Sequence, residues 1–283
     1  MTAATESRTY LPGTQIEIIN PQVERGKIRH AVFDFDGTLS LIREGWQQVM
    51  IPMCVQYLQE TGTDESEATL LGIVREFVTR LTGKQTIYQM IELAQEVEKR
   101  GGAPKEPLEY KHIYLELLWE RIKDRVNGLK NGSLSPEDFV VPGSYPLLEN
   151  LKRREMAMYL ASGTDMPYVM DESGVLNLQH YFGDHVYGAL DNYKLFSKKM
   201  IIEKILQDHQ LSGAELLTFG DGYVEIENTK EVGGIAVGVA TDEVRKIPVD
   251  EWKRSRLIQA GADFIIPHFM EQEKLMAYLF AEA

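Results

Sequence analysis

Three apolar runs of this chain end in groups that could attack an electrophile or hold a cation. Asp34 and Asp36 follow Ala31-Val32-Phe33, Ser162 follows Met156–Ala161, and Asp221 follows Leu216–Phe219. Short apolar runs of this kind suit buried parallel strands. Parallel strands carry the groups at their carboxyl ends to one edge of the sheet, where open α/β sheets bind ligands. Carboxylates gathered without His or Cys suit a hard cation bound through oxygen, which is magnesium. With few protein carboxylates, such an ion fills its shell with water and substrate phosphate. Each segment also has a plainer reading. Asp36-Gly37 and Gly220-Asp221-Gly222 are ordinary turn sequences, and Ser162-Gly163 is common in loops.

The elements that must position these groups can be read from periodicity. Between about Trp46 and Gly128 the helical period dominates. Val49, Met53, Val55 and Leu58 mark one amphipathic helix, and Leu70, Ile73, Val74, Phe77 and Leu81 a second. Ile87, Met90, Ile91, Ala94 and Val97 mark a third. Ile113, Leu117, Leu118 and Ile122 mark a fourth, expected to stop at Asn127-Gly128. Short polar connections between them predict a helical bundle. After Pro142-Gly143 helix and strand alternate: helix at Leu147–Arg154, strand at Met156–Ala161, helix from Pro167 and strand at Phe182–Tyr187. Then come a helix at Lys198–His209, strands at Leu216–Phe219, Ile235–Val239 and Phe264–Ile266, and a helix at Glu271–Phe280. The alternation predicts an α/β fold with a doubly wound parallel, Rossmann-like sheet. Its core is expected to span residues 1–42 and 139–283, with an all-helical domain inserted at 43–138. Ile16–Ile19 is expected to form an edge strand in an N-terminal arm.

Taken together, these segments resemble the haloacid dehalogenase-like hydrolase superfamily. Asp34-Phe35-Asp36-Gly37-Thr38 is similar to its first signature, Ser162 to the second, Lys198 to the third, and Gly220-Asp221-Gly222 with Glu225 to the fourth. The four stand in the family's order, and an insert between the first and second resembles a type 1 cap. The resemblance implies a phosphatase in which Asp34 attacks phosphorus and becomes an acyl phosphate. It implies Mg2+ held by Asp34, the backbone carbonyl of Asp36, and Asp221. Asp36 would protonate the leaving oxygen and then activate water. Ser162, with the N–H of Gly163, would hold a phosphoryl oxygen, and Lys198 would balance the charge there. Glu225 would orient a water on the metal or bind the metal itself; the family more often has Asp at this position, and Glu227 is a second candidate. Lys194 and Lys199 compete with Lys198, which opens the following helix at the best distance from Asp221.

Leu81-Thr82-Gly83-Lys84-Gln85-Thr86 looks like a fragment of a phosphate-binding P-loop. It lacks the first glycine, where Val78 stands, and lies between helices rather than after a strand. It is either an interhelical turn or a cap loop in which Lys84 or Gln85 touches the leaving group. Asp36 argues against the dehalogenase branch. A sugar phosphate mutase, or a phosphonate hydrolase using Lys84 as a Schiff base, stays open within the superfamily. A non-catalytic binding protein stays open outside it.

Composition narrows the partners. With 283 residues and 43% hydrophobic content the chain can bury a real core. A net charge of −13 repels nucleic acid, but a bound metal or local cations could still receive a small phosphorylated substrate. The lone cysteine, Cys54, excludes an internal disulfide and a Cys-based zinc site. The histidines are scattered, and the nearest pair, His180 and His185, reads as surface or packing residues. Met1–Gly13 lacks a basic cluster followed by an apolar run, and no apolar stretch is long enough to span a bilayer, so the cytoplasm is the expected location.

Overall fold

The computed structural model describes residues 8–282. The first seven residues of the N-terminal arm, with half of the stretch read for a signal peptide, lie outside the described residues, as does Ala283. The apolar runs become strands β1 (Glu17–Ile18), β2 (His30–Phe33), β3 (Ala157–Asp165), β4 (Val186–Ala189), β5 (Leu216–Gly220), β6 (Ile235–Val239) and β7 (Phe264–Ile266). They form one sheet in the order β1-β7-β6-β5-β2-β3-β4. All neighbours are parallel except β1, which runs antiparallel along the edge of β7. Strands β2, β5, β6 and β7 are buried along their whole length, which is why they read as unbroken apolar runs. From β2 the chain runs outward to β3 and β4, then crosses back to β5 on the other side. That reversal opens a crevice beyond the carboxyl ends of β2 and β5, the place where doubly wound sheets bind ligands.

Four helices, α1 (Gln47–Gln59), α2 (Glu67–Leu81), α3 (Thr86–Lys99) and α4 (Pro107–Lys130), lie between β2 and β3 in the chain. The others are α5 (Ser144–Arg153), α6 (Met166–Val175), α7 (Gln179–Phe182), α8 (Lys198–His209), α9 (Tyr223–Glu231), α10 (Glu251–Gln259) and α11 (Gln272–Leu279). The apolar spacing of the first four is buried: Met53 and Leu58, Leu70 and Phe77, Met90 and Val97, Leu118 and Ile122 belong to the same cluster as Phe33 and Phe219 of the sheet. Ser66 starts α2 by accepting from the Thr69 N–H at 3.2 Å.

The structure departs from the sequence expectation in four places. Helix α4 runs through Asn127-Gly128 to Lys130, because Gly128 is buried and the Leu134 side chain fills the space where its Cβ would stand. Strand β3 continues to Asp165, with a register shift against β4 between Ala161 and Asp165. The expected strand at Phe182–Tyr187 is the end of α7 followed by β4. Helices α9 and α10 carried no apolar stripe to find. Their buried faces are Glu225, Ile226 and Thr229, and Lys253, Arg254 and Leu257.

The histidines are less scattered in space than in sequence. Tyr159 Oη lies 3.1 Å from His30 Nδ1 and 3.0 Å from His209 Nε2, and the His185 ring stacks on the phenol at 4.5 Å. Burial pulls the His30 pKa below its ordinary 6.5, helped by His209, Arg29 and His185 and opposed by Glu215. The fold therefore prefers His30 neutral, while the unfolded chain takes up a proton near pH 6.5. Stability from this site is present above that pH and is lost as pH falls below it. His30→Gln should narrow the drop in urea midpoint between about pH 8 and pH 5.5, the range that brackets an ordinary histidine. An identical drop in both proteins would remove His30 from the account.

Candidate active site

Asp34 is the first residue beyond β2, buried, with its N–H donating to Phe219 O of β5 at 3.0 Å. The chain then turns sharply: Leu39 and Ser40 N–H both return to Phe35 O. Gly37 has φ +77°, and a Cβ there would stand 2.2 Å from Asp221 Oδ2, so only glycine lets the two loops close on each other. Thr38 Oγ1 accepts from the Asp221 N–H at 2.9 Å, locking the first acidic loop to the last.

Lys198 opens α8, where Ser197 caps the helix by accepting from the Met200 N–H. Its ammonium reaches Asp34 Oδ1 at 2.8 Å and Glu225 Oε2 at 2.9 Å. Glu225 is the third residue of α9, and its other oxygen accepts from the Gly222 N–H at 2.7 Å. This is the returning half of a capping box. The glutamate arm thus holds the helix start and the lysine together, in addition to facing the acidic cluster. One oxygen from each of Asp34, Asp221 and Glu225 lies within 4.8 Å of the others.

Ser162 is buried in β3, and its Oγ accepts from the Thr164 N–H at 3.1 Å, which leaves its hydrogen free to donate. Thr164 Oγ1 donates to Asp36 Oδ2 at 2.8 Å. Asp36 Oδ1 is buried without a hydrogen-bond partner, 3.7 Å from Arg43 Nε. Arg43 itself is tied to buried Glu172 by contacts of 2.6 to 3.0 Å. A cavity of about 100 Å³ joins these groups; Asp34, Asp36, Ser162 and Lys198 form its floor, and Trp46, Gln89 and Tyr114 its helical wall.

The helical insert reaches this cavity through the turn between α2 and α3. A Cβ on Gly83 would come within 3.2 Å of Gly222 Cα, and one on Gly163 within 3.0 Å of the Lys84 carbonyl, so the turn lies directly against both loops at the acidic edge. The two polar side chains of the turn diverge. Lys84 lines the cavity but is exposed, its ammonium 5.7 Å from the Tyr88 ring centre. Gln85 is buried and does not line the cavity; its amide donates to Phe196 O at 2.6 Å and Tyr193 O at 3.2 Å. The amide nitrogen ties the insert to the core loop before α8, while Gln85 Oε1 is buried without a hydrogen-bond partner. Lys111 of α4 makes a second tie, to Asp165 at 2.6 Å.

Charge is unevenly balanced in the site. Six carboxylates in or against the cavity, Asp34, Asp36, Glu44, Asp221, Glu225 and Glu243, face four cations, Arg43, Lys84, Lys198 and Lys253. Burial pushes the Asp34 carboxyl well above its ordinary range, with Glu225 and Asp221 adding to the push and Lys198 opposing it. Burial alone would lower Lys198, but Asp34 and Glu225 outweigh it and keep the ammonium charged. An all-oxygen donor set with surplus negative charge fits a hard divalent cation. Lys253, Glu243, Arg43, Glu172 and Thr164 were not singled out from sequence. Thr164 sits two residues beyond Ser162, and Lys253 stands in the first turn of α10, whose start Asp250 caps.

The model of the haloacid dehalogenase-like hydrolase family matches residues 28–233. No curated protein matches the sequence significantly. Among solved structures, a haloacid dehalogenase-like family protein from Streptococcus pneumoniae is similar at 18% identity and TM-score 0.55, over 88% of this chain and 98% of that one. A predicted phosphoglycolate phosphatase from Haemophilus somnus has 15% identity and TM-score 0.56 over 88% and 98%. A β-phosphoglucomutase from Clostridium difficile has 13% identity and TM-score 0.53 over 82% and 98%. At these identities the likeness is one of fold.

Proposed function

The chain belongs to the haloacid dehalogenase-like hydrolases, and we propose that it is a Mg2+-dependent phosphatase that hydrolyses a small phosphorylated metabolite through a phosphoaspartate on Asp34. The observation that carries this reading is the constellation of buried Asp34, Lys198 and Glu225 with half-buried Asp221 at a small cavity, with one Asp36 oxygen left without a hydrogen-bond partner. Asp34, Asp221, the Asp36 carbonyl and Glu225 would hold the ion. The ion would supply positive charge that lets an anionic nucleophile approach a phosphate.

Asp34 attacks phosphorus; the ester P–O bond breaks as the Asp34–phosphorus bond forms, and the leaving oxygen takes a proton from Asp36. Water then attacks phosphorus, giving a proton to Asp36 as the Asp34–phosphorus bond breaks, so that phosphate leaves and the Asp34 carboxylate is restored. Ser162 donates to a phosphoryl oxygen, and Lys198 neutralises charge between Asp34 and that oxygen. Residues 43–138 act as a cap, whose turn at Gly83-Lys84-Gln85 closes over the cavity and excludes water during transfer. Discrimination of the organic group falls to the cap wall, to which Lys84 contributes at the rim. The exposed Lys84 ammonium gives no support to a Schiff-base phosphonate hydrolase. A sugar phosphate mutase would share Asp34 and Asp36, and is separated by whether inorganic phosphate is released. No helix among the described residues is long and apolar enough to cross a membrane. The location proposed for this activity is the cytoplasm, where small phosphorylated metabolites are held.

The test is release of p-nitrophenol from p-nitrophenyl phosphate. EDTA should abolish it, Mg2+ should restore it, and Ca2+ should restore it poorly. Calcium prefers more ligands at longer distance, which would misplace Asp34. Full activity in metal-free buffer would overturn the proposal.

A further inference from the structure

One oxygen of Asp221 is held by a residue with no part in the chemistry above. Lys253 Nζ donates to Asp221 Oδ2 at 2.7 Å and to Glu243 Oε1 at 2.7 Å. The Asp221 backbone is held by its N–H donating to Thr38 Oγ1, and the space a Cβ on Gly37 would take is filled by Oδ2, the same oxygen that Lys253 holds. One oxygen of the carboxylate is thus already occupied by an ammonium. Glu243, on the loop after β6, also lines the reaction cavity.

The placement of Lys253 is unfavourable in isolation. It is buried, which costs a charged amine its hydration. It also stands in the first turn of α10, where the helix dipole favours negative charge. Only the two carboxylates compensate, and a buried ion triad of this kind adds little net stability.

We propose that Lys253 is the internal counter-ion of the cation site and that Glu243 sets its strength. The lysine holds Asp221 in place when the cation is absent and competes for it when the cation is bound, which keeps the ion exchangeable. This rests on the reading of Asp34, Asp221 and Glu225 as a divalent-cation site.

The proposal predicts variants of opposite sign. Lys253→Met removes a positive charge beside the bound ion, so Mg2+ affinity should rise by roughly fivefold or more. Glu243→Gln removes a negative charge and leaves Lys253 wholly to Asp221, so affinity should fall by a similar factor. A lysine that merely braced the loop would, on removal, loosen Asp221 and weaken binding, as Glu243→Gln does. The measurement is calorimetric titration of the full chain with MgCl2, which does not depend on turnover. Lys253→Gln, which keeps a donor for Asp221, should show the same tightening if Lys253→Met does not fold, and Lys253→Arg should stay near wild type. Weaker or unchanged binding in the neutral Lys253 variants would overturn the proposal. Wild-type protein that does not bind Mg2+ at all would overturn the cation site and this inference with it, whereas wild-type binding with the wrong sign in the variants would overturn this inference alone.

Discussion

Asp34→Asn should lose at least about a thousandfold of turnover on any phosphate ester while the protein stays folded. The amide keeps the shape of the carboxylate but not its negative charge, so it cannot attack phosphorus. The loss should fall on kcat, because substrate still meets Ser162, Lys198 and the cap wall. Folding should survive for a reason visible in the site. The buried Asp34 carboxylate shares its surroundings with Asp221 and Glu225, and burial already disfavours its charge. Removing one carboxylate relieves that crowding, while Lys198 keeps Glu225 as a partner. The thermal midpoint in metal-free buffer should therefore hold or rise, as when an active site gives up strain along with function. Turnover above about a tenth of the wild-type rate would remove Asp34 as the nucleophile. A large drop in the thermal midpoint would mean that the loss measured unfolding.

The parts of this fold legible in sequence are those where burial and local pattern agree. Ala31-Val32-Phe33, Ile235–Val239 and Phe264–Ile266 are strands buried on both faces, and composition alone marks them. Helix α8 could be delimited from Lys198 to His209 because Ser197 caps it and its apolar residues keep the helical period. Helices α9 and α10 were silent for the opposite reason. Their inward faces carry Glu225 and Lys253, charges paired with Lys198, Asp221 and Glu243 outside their own helices. The acidic loops could be found because each follows a strand end. Their supports could not: Thr164 on Asp36, Glu172 on Arg43 and Gln85 on the Phe196 carbonyl are contacts across 128, 129 and 111 positions. Lys84 and Gln85 are adjacent polar residues in the sequence, and only the turn geometry separates a side chain at the cavity rim from one that ties the insert down.

Asp36→Asn should behave differently from Asp34→Asn, and the difference depends on the leaving group. Thr164 holds one oxygen of Asp36, and the other is buried without a hydrogen-bond partner, 3.7 Å from Arg43 Nε. An acid placed to serve a departing oxygen needs such a free atom; an amide there can donate a hydrogen bond but cannot deliver a proton. General acid–base catalysis contributes roughly a hundredfold to ten-thousandfold, so hydrolysis of an alkyl phosphate should fall by that factor. An alkoxide leaves poorly without a proton. A p-nitrophenolate leaves well without one, so the first step with p-nitrophenyl phosphate should survive the substitution. The second step still needs a base to activate water, and the substituted amide cannot serve. Rapid mixing of Asp36→Asn with p-nitrophenyl phosphate should therefore give a burst of p-nitrophenolate stoichiometric with enzyme, followed by a slow phase, as phosphoaspartate accumulates on Asp34. Alkyl phosphate should give no burst. Equal losses on both substrates without a burst would show that Asp36 transfers no proton in either step, and its contact with Thr164 would then be purely structural.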